Sequence, residues 1–266
     1  MTLINKLRPT VVLKIADRQL TRAWLVAFGA ALLSLAQLGC QPIATGNRLT
    51  VASAGKISSL DPAQASTVNT IQLLSALGDP LYSLDGNGEL IPRLAEASPI
   101  VSPDGLTVTI PLRRDVLFHD GTRFDAEAMA FSLRRFLEIG TLSYVVGGRI
   151  RSVEVAADHQ LVLRLSRPST SLEGLLTSVN LTPVSPTAYA QHRDGFLHDR
   201  FVGTGPYRLT DFSEHQQRLE PFEQYWGEPP ANPGLDLITL SNSTALYGAL
   251  RSGCLLYTSD AADDMA

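Results

Sequence analysis

The residues of this chain best equipped for chemistry are five histidines, two cysteines and a scatter of carboxylates. Hydrolysis would require of them a positioned nucleophile, a base and oxyanion donors, or a metal-activated water. No Gly-x-Ser-x-Gly elbow and no His-Glu-x-x-His helix occurs. His192 and His198 sit in a polar stretch without a thiolate partner, and Glu220 and Glu223 read as solvated surface charge. Gly203-Thr204-Gly205-Pro206-Tyr207 gathers backbone N–H groups in a tight loop but lacks the Gly-Lys-Ser/Thr ending of a phosphate loop. That loop either faces a solute or lets the chain cross between substructures, and the second role is favoured. Phe118-His119 reads as packing or a hydrogen-bonded turn, and the Asp-Gly pairs at 104–105 and 120–121 as turns that exploit glycine's positive φ. Binding without catalysis is the expectation, with no metal and no cofactor.

The elements that must position these residues mix strands and helices without regular βαβ alternation. A short β-rich run covers 49–52 and leads into a turn. Ser66 or Thr67 caps a helix carrying Val68, Ile71 and Leu74 on one face, with Gly78 as its left-handed stop. Asp85-Gly86-Asn87-Gly88 closes a tight turn, and Leu106, Val108, Ile110 and Leu112 alternate as a half-buried strand whose Pro111 belongs near an edge or a strand end. Asp125 caps a second helix with Met129, Leu133, Phe136 and Leu137 on one face, Arg134 and Arg135 near its negative end and Gly140 beyond it. Alternation on both sides of Ala157-Asp158-His159 predicts a hairpin. Helices follow at 172–176 and 186–191, then strands at 208–212, 217–220 and 236–240.

Composition is that of a globular protein with a real core: 44% hydrophobic, 18% charged and 7% aromatic residues. The first 39 residues differ. Lys6, Arg8, Lys14, Arg18 and Arg22 precede an apolar run at 25–33, the pattern of an export signal, and the run is shorter than the roughly 20 residues a membrane span needs. Gly39-Cys40 resembles the end of a bacterial lipoprotein signal, which makes Cys40 the expected lipidation site. Gln37 and Leu38 depart from that signal, so ordinary cleavage stays open. Removing residues 1–39 takes away five basic residues and one acid, which leaves 17 against 25. An acidic chain without a basic stripe is not a nucleic-acid binder. At the other end, residues 254–263 look like the in-frame translation of a sequencing adapter, so residues 254–266 are expected to be foreign to the fold and Cys254 not to be native.

Several segments in order carry a family likeness: Leu60-Asp61-Pro62-Ala63, Asp79-Pro80-Leu81-Tyr82, Leu90-Ile91-Pro92-Arg93-Leu94-Ala95-Glu96, Ser102-Pro103-Asp104-Gly105-Leu106-Thr107, residues 112–122 with Phe118-His119-Asp120-Gly121, and Gly203-Thr204-Gly205-Pro206-Tyr207 followed by Tyr225-Trp226-Gly227. Together they resemble the family 5, peptide/nickel-type extracellular solute-binding proteins of ABC importers. The resemblance implies an α/β fold with mixed sheets and helices, the first lobe of a two-lobed, Venus-flytrap protein (class II) like the periplasmic binding proteins, with the second lobe missing. It implies a lobe over 40–253, with residues 49–76 and 200–253 forming a core subdomain around an insertion at 77–189. The expected partners are a small solute, an oligopeptide above all, and a permease with its ATPase. The protein is expected to be a monomer in the periplasm or cell envelope, held by its lipid. Ser58, Ser59, Leu60, Tyr82 and Thr204 are the candidate ligand contacts. An exported lipoprotein hydrolase, or a solute sensor on the same fold, is the rival reading.

Overall fold

The computed structural model describes residues 48–57, 59–190, 200–240 and 242–251. Residues 1–47 with Cys40, position 58, residues 191–199 with His192 and His198, position 241 and residues 252–266 lie outside them. Among the described residues, ten strands and six helices run in the order β1 (Leu49–Ser53), α1 (Val68–Leu77), β2 (Tyr82–Leu84), β3 (Leu90–Pro92), β4 (Ile100–Val101), β5 (Thr107–Pro111), α2 (Ala126–Ile139), α3 (Ser143–Gly147), β6 (Ile150–Ala157), β7 (Gln160–Leu165), α4 (Leu172–Leu175), α5 (Pro186–Tyr189), β8 (Tyr207–Phe212), β9 (Gln216–Pro221), β10 (Leu235–Thr239) and α6 (Ser243–Arg251). Short 3₁₀ turns occupy Pro62–Gln64 and Val179–Leu181.

The strands form two four-stranded sheets and a small hairpin. The first sheet, ordered β1-β10-β9-β8, is mixed: β1 lies parallel to β10 with Val51 opposite Leu237, and the other pairs are antiparallel. Parallel neighbours cannot be joined by a tight turn, and here nearly the whole described chain lies between them. The second sheet, β4-β5-β7-β6, is antiparallel throughout, with Val108 opposite Leu163. Pro111 is the last residue of β5, where a missing N–H does least harm to the ladder.

Each large sheet has its own helix and its own apolar cluster. Leu73, Leu74 and Leu77 of α1 pack with Tyr207 and Leu219 of the mixed sheet and with Phe201 of the loop before it. Met129, Leu133 and Phe136 of α2 pack with Ile110, Leu161 and Leu163 on the antiparallel sheet. Each such side chain, fully buried, contributes roughly 1.5–3 kcal/mol. Both helices start as their sequences predict: Thr67 Oγ1 accepts from Thr70 N and Asp125 Oδ1 from Ala128 N.

Two expectations about helix ends are corrected. Gly78 has φ −152° and is extended, so it is no left-handed stop. A Cβ there would meet Thr182 Cγ2 at 2.3 Å, and closeness of packing is what requires glycine. Arg134 and Arg135 do not serve the carbonyl end of α2, whose last turn holds no basic residue. Arg134 donates to Val153 O and Arg135 pairs with Asp61. A third element, α6, follows β10 with Leu246 buried against Ala52.

Candidate functional site

Asp79 follows α1 directly and is almost wholly buried. A buried carboxylate must be paired and hydrogen-bonded. Asp79 receives Arg93 Nη2 at 2.8 Å, Trp226 Nε1 at 3.0 Å and Tyr225 OH at 3.1 Å. The Trp226 ring also lies beneath two guanidinium groups, Arg113 at 4.4 Å and Arg93 at 5.2 Å from its centroid. Burial, followed by the charge of Asp79, pushes the Tyr225 hydroxyl well above its ordinary range and keeps it a donor. Four of the segments that carry the family likeness thus meet on one carboxylate and one indole.

A second junction lies beside the first. Asp79 N donates to Thr204 Oγ1 at 3.2 Å, and Gly205 N donates to Leu77 O at 3.0 Å. The Phe118–Thr122 turn closes over the same loop: His119 N donates to Gly203 O at 2.9 Å, and Asp120 Oδ2 accepts from Ser185 Oγ at 2.5 Å. The His119 ring sits edge-on to Phe222, centroids 5.1 Å apart, with Phe201 on another side. Gly121, at φ +80°, makes the turn possible at little steric cost.

The third junction is the turn after β1. Asp61, fully buried, takes a bidentate pair from Arg135, whose guanidinium stands 5.5 Å over the Tyr189 ring. Its Oδ1 also accepts from Ala63 N at 3.0 Å. Asn180 Nδ2 donates to Pro62 O and Ala65 O, both at 2.8 Å, and Thr141 N donates to Ala63 O at 2.9 Å. The turn is therefore fixed from its buried side. Exposed apolar side chains stand close by in sequence: Val68, three residues after Ala65, is 68% exposed, and Tyr144, three residues after Thr141, is 78% exposed. Tyr144 was not singled out in the sequence, where nothing distinguishes a surface tyrosine from a core one until burial is known.

The structure distributes the candidate ligand contacts between these junctions. Ser58 lies outside the described residues. Ser59 is buried and its Oγ accepts from Asp61 N at 3.0 Å. Leu60 is buried in the α1 cluster. Tyr82 has no exposed surface and donates to Ala97 O at 2.9 Å, while Thr204 is occupied by Asp79 N. Leu60 packs with α1, and Thr204 bonds Asp79 just beyond its end; Tyr82 packs with the antiparallel sheet. No group of three or more potential metal ligands occurs among the described residues.

Residues 89–266 match the family model described as bacterial extracellular solute-binding proteins, family 5, middle region. The chain belongs to that family. Among its relatives, the glutathione-binding protein GsiB of Salmonella paratyphi A is 30% identical over 224 residues, 83% of this chain and 42% of that protein. The binding protein AgaA of A. tumefaciens R10, solved with agropinic acid, superposes with TM-score 0.74 at 25% identity, over 81% of this chain and 45% of that one. DppA of Helicobacter pylori, solved with the peptide STSA, gives TM-score 0.70 at 25% identity, over 78% and 45%. The chain therefore spans less than half the length of the family 5 relatives it matches, and its α/β fold is that of part of a periplasmic binding protein.

Proposed function

We propose that this chain forms one wall of a solute-binding cleft in the substrate-binding component of an ABC importer. The wall captures a small solute outside the inner membrane, and a permease with its ATPase receives it. The chemistry is binding alone: the wall makes and breaks no covalent bond. The solute is of the short-peptide class, a reading supported by the glutathione and peptide named for the relatives. The carrying observation is the turn after β1, locked from behind by Asp61–Arg135 and Asn180, with Val68 exposed on the helix that follows it and Tyr144 exposed three residues after the anchoring Thr141. Exposed apolar side chains on rigidly held segments offer a small solute its apolar walls.

In this reading Ser59, Leu60, Tyr82 and Thr204, all buried, hold the wall from behind, and the exposed Tyr144 meets the solute. The lobe is organised as a core from residues 49–76 and 200–253 around an insertion at 77–189. The protein works as a monomer, and Cys40 carries the lipid that keeps it at the envelope.

The test is titration of short peptides and glutathione into the complete protein that carries this chain, as wild type and as Tyr144→Ala. We expect saturable binding, no turnover, and affinity at least about tenfold weaker in the variant with an unchanged melting temperature. Cleavage of the added peptide, or equal affinity in both proteins, would overturn the reading.

A further inference from the structure

The turn Asp85-Gly86-Asn87-Gly88 joins β2 to β3 and takes no part in the three junctions. Gly86, Asn87 and Gly88 are exposed, and a Cβ on either glycine would meet nothing within 4 Å. Asn87 is the only asparagine of the sequence followed by glycine. That order has a chemical consequence. The backbone nitrogen after an asparagine can close a five-membered ring on its Cγ, and glycine puts no side chain in the way of that approach.

The other described asparagines are placed differently. Asn69 Nδ2 donates to Ser53 Oγ and Gly55 O, and Asn180 Nδ2 to Pro62 O and Ala65 O. Asn232 precedes Pro233, whose nitrogen has no hydrogen to lose. Asn242 Oδ1 accepts from Ala245 N at the start of α6. Among the described residues Asn87 Nδ2 meets only Asp85 Oδ2, at 3.5 Å, the length of a weak bond.

We propose that Asn87 is a self-modification site, deamidating through a cyclic imide formed with Gly88 N, and that Asp85 sets its pace. The Gly88 N–Cγ bond forms as the Cγ–Nδ2 bond breaks, and Nδ2 leaves as ammonia with the Gly88 amide proton. Water then opens the imide at Cγ to give aspartate, or at the backbone carbonyl to give isoaspartate; nothing is oxidised or reduced. Asp85 opposes the first step twice. Its carbonyl holds Gly88 N at 3.0 Å, and its Oδ1 accepts from Asn87 N and Glu89 N, both at 2.8 Å. The ring closes only when that turn opens. Either product sets a second carboxylate against Asp85 Oδ2. Isoaspartate also adds a carbon to the backbone inside the turn that pairs Leu84 with Leu90, so the bond from Asp85 N to Glu89 O is lost.

The experiment is peptide mapping by mass spectrometry of the full chain held at neutral pH, as wild type and as Asp85→Ala, with amide exchange on the converted chain. We expect aspartate and isoaspartate to accumulate at position 87 while Asn69 and Asn180 stay intact. Asp85→Ala should convert roughly two- to tenfold faster, the ratio that one net hydrogen bond supplies. The converted chain should lose protection at the Asp85 amide and keep it in β7. If the variant does not fold, the wild-type rates at 87, 69 and 180 decide. Conversion at Asn87 no faster than at Asn180, an equal or slower rate in Asp85→Ala, or unchanged protection at Asp85 after conversion would overturn the proposal.

Discussion

Asp79 shows how one side chain can tie distant segments together. Its carboxylate collects an arginine from the end of β3 and a tyrosine and a tryptophan from the segment after β9. Asp79→Ala would leave those three donors facing an emptied site. Removing one partner of a buried pair costs about 3–5 kcal/mol, and because the Arg93 side chain is 38% exposed the lower end applies. We expect a loss of about 3 kcal/mol and a melting temperature lower by roughly 6–12 °C, read by thermal unfolding, with Asp79→Asn losing less. Asp236 gives the pH counterpart. Burial alone would raise its pKa, but hydrogen bonds from Arg48 and Arg218 outweigh it and hold the carboxyl below its ordinary range. Its contribution is complete above the ordinary carboxylate value near 3.8 and disappears as pH falls through the lower folded value. Arg48→Ala should therefore flatten the acid limb of a stability profile recorded in that window.

Among elements, the loop at 201–206 and the end of α1 depend on closeness. A Cβ on Gly205 would come within 2.4 Å of both Gly78 N and Leu77 C, which are backbone atoms that cannot rotate away. Gly205→Ala should cost at least the roughly 1–3 kcal/mol typical of overpacking. At Gly121 the surrounding space is open and only the left-handed φ resists a side chain, so alanine there should cost about 1–2 kcal/mol. Urea unfolding of the two variants separates the mechanisms, since Gly121→Asn recovers part of the loss whereas Gly205→Asn does not.

The same scale explains what the sequence made legible. Thr67 and Asp125 announce their helices because a cap is a local device, one side-chain oxygen and an N–H three residues on. The hairpin at 150–165 shows in its alternation, because the period of a strand is local too. Gly78 and Arg135 were misread for the opposite reason. A glycine after a helix and arginines near its end carry local meanings, but here Thr182 and Asp61, far away in sequence, decide what they do. The Asp79 cluster and the exposure of Tyr144 were invisible on the same ground: both are products of tertiary packing.

In the proposed reading the described residues supply one wall of a cleft. Its segments of family likeness, apart from the exposed turn at 102–107, converge on buried junctions that stiffen it, and the chain covers about 42% of the curated relatives it matches. A solute gripped from one side keeps much of its surface in water, so in that reading most of the contact area that gives the cleft its affinity comes from the remainder of the complete protein. The most direct test of this account is calorimetric titration of one short peptide into the complete protein and into these 266 residues alone. We expect saturable heat without product in the complete protein, and binding by the shorter chain weaker by at least about a hundredfold, near 2.7 kcal/mol. Equal micromolar affinity in both, or heat from continuing turnover, would contradict it.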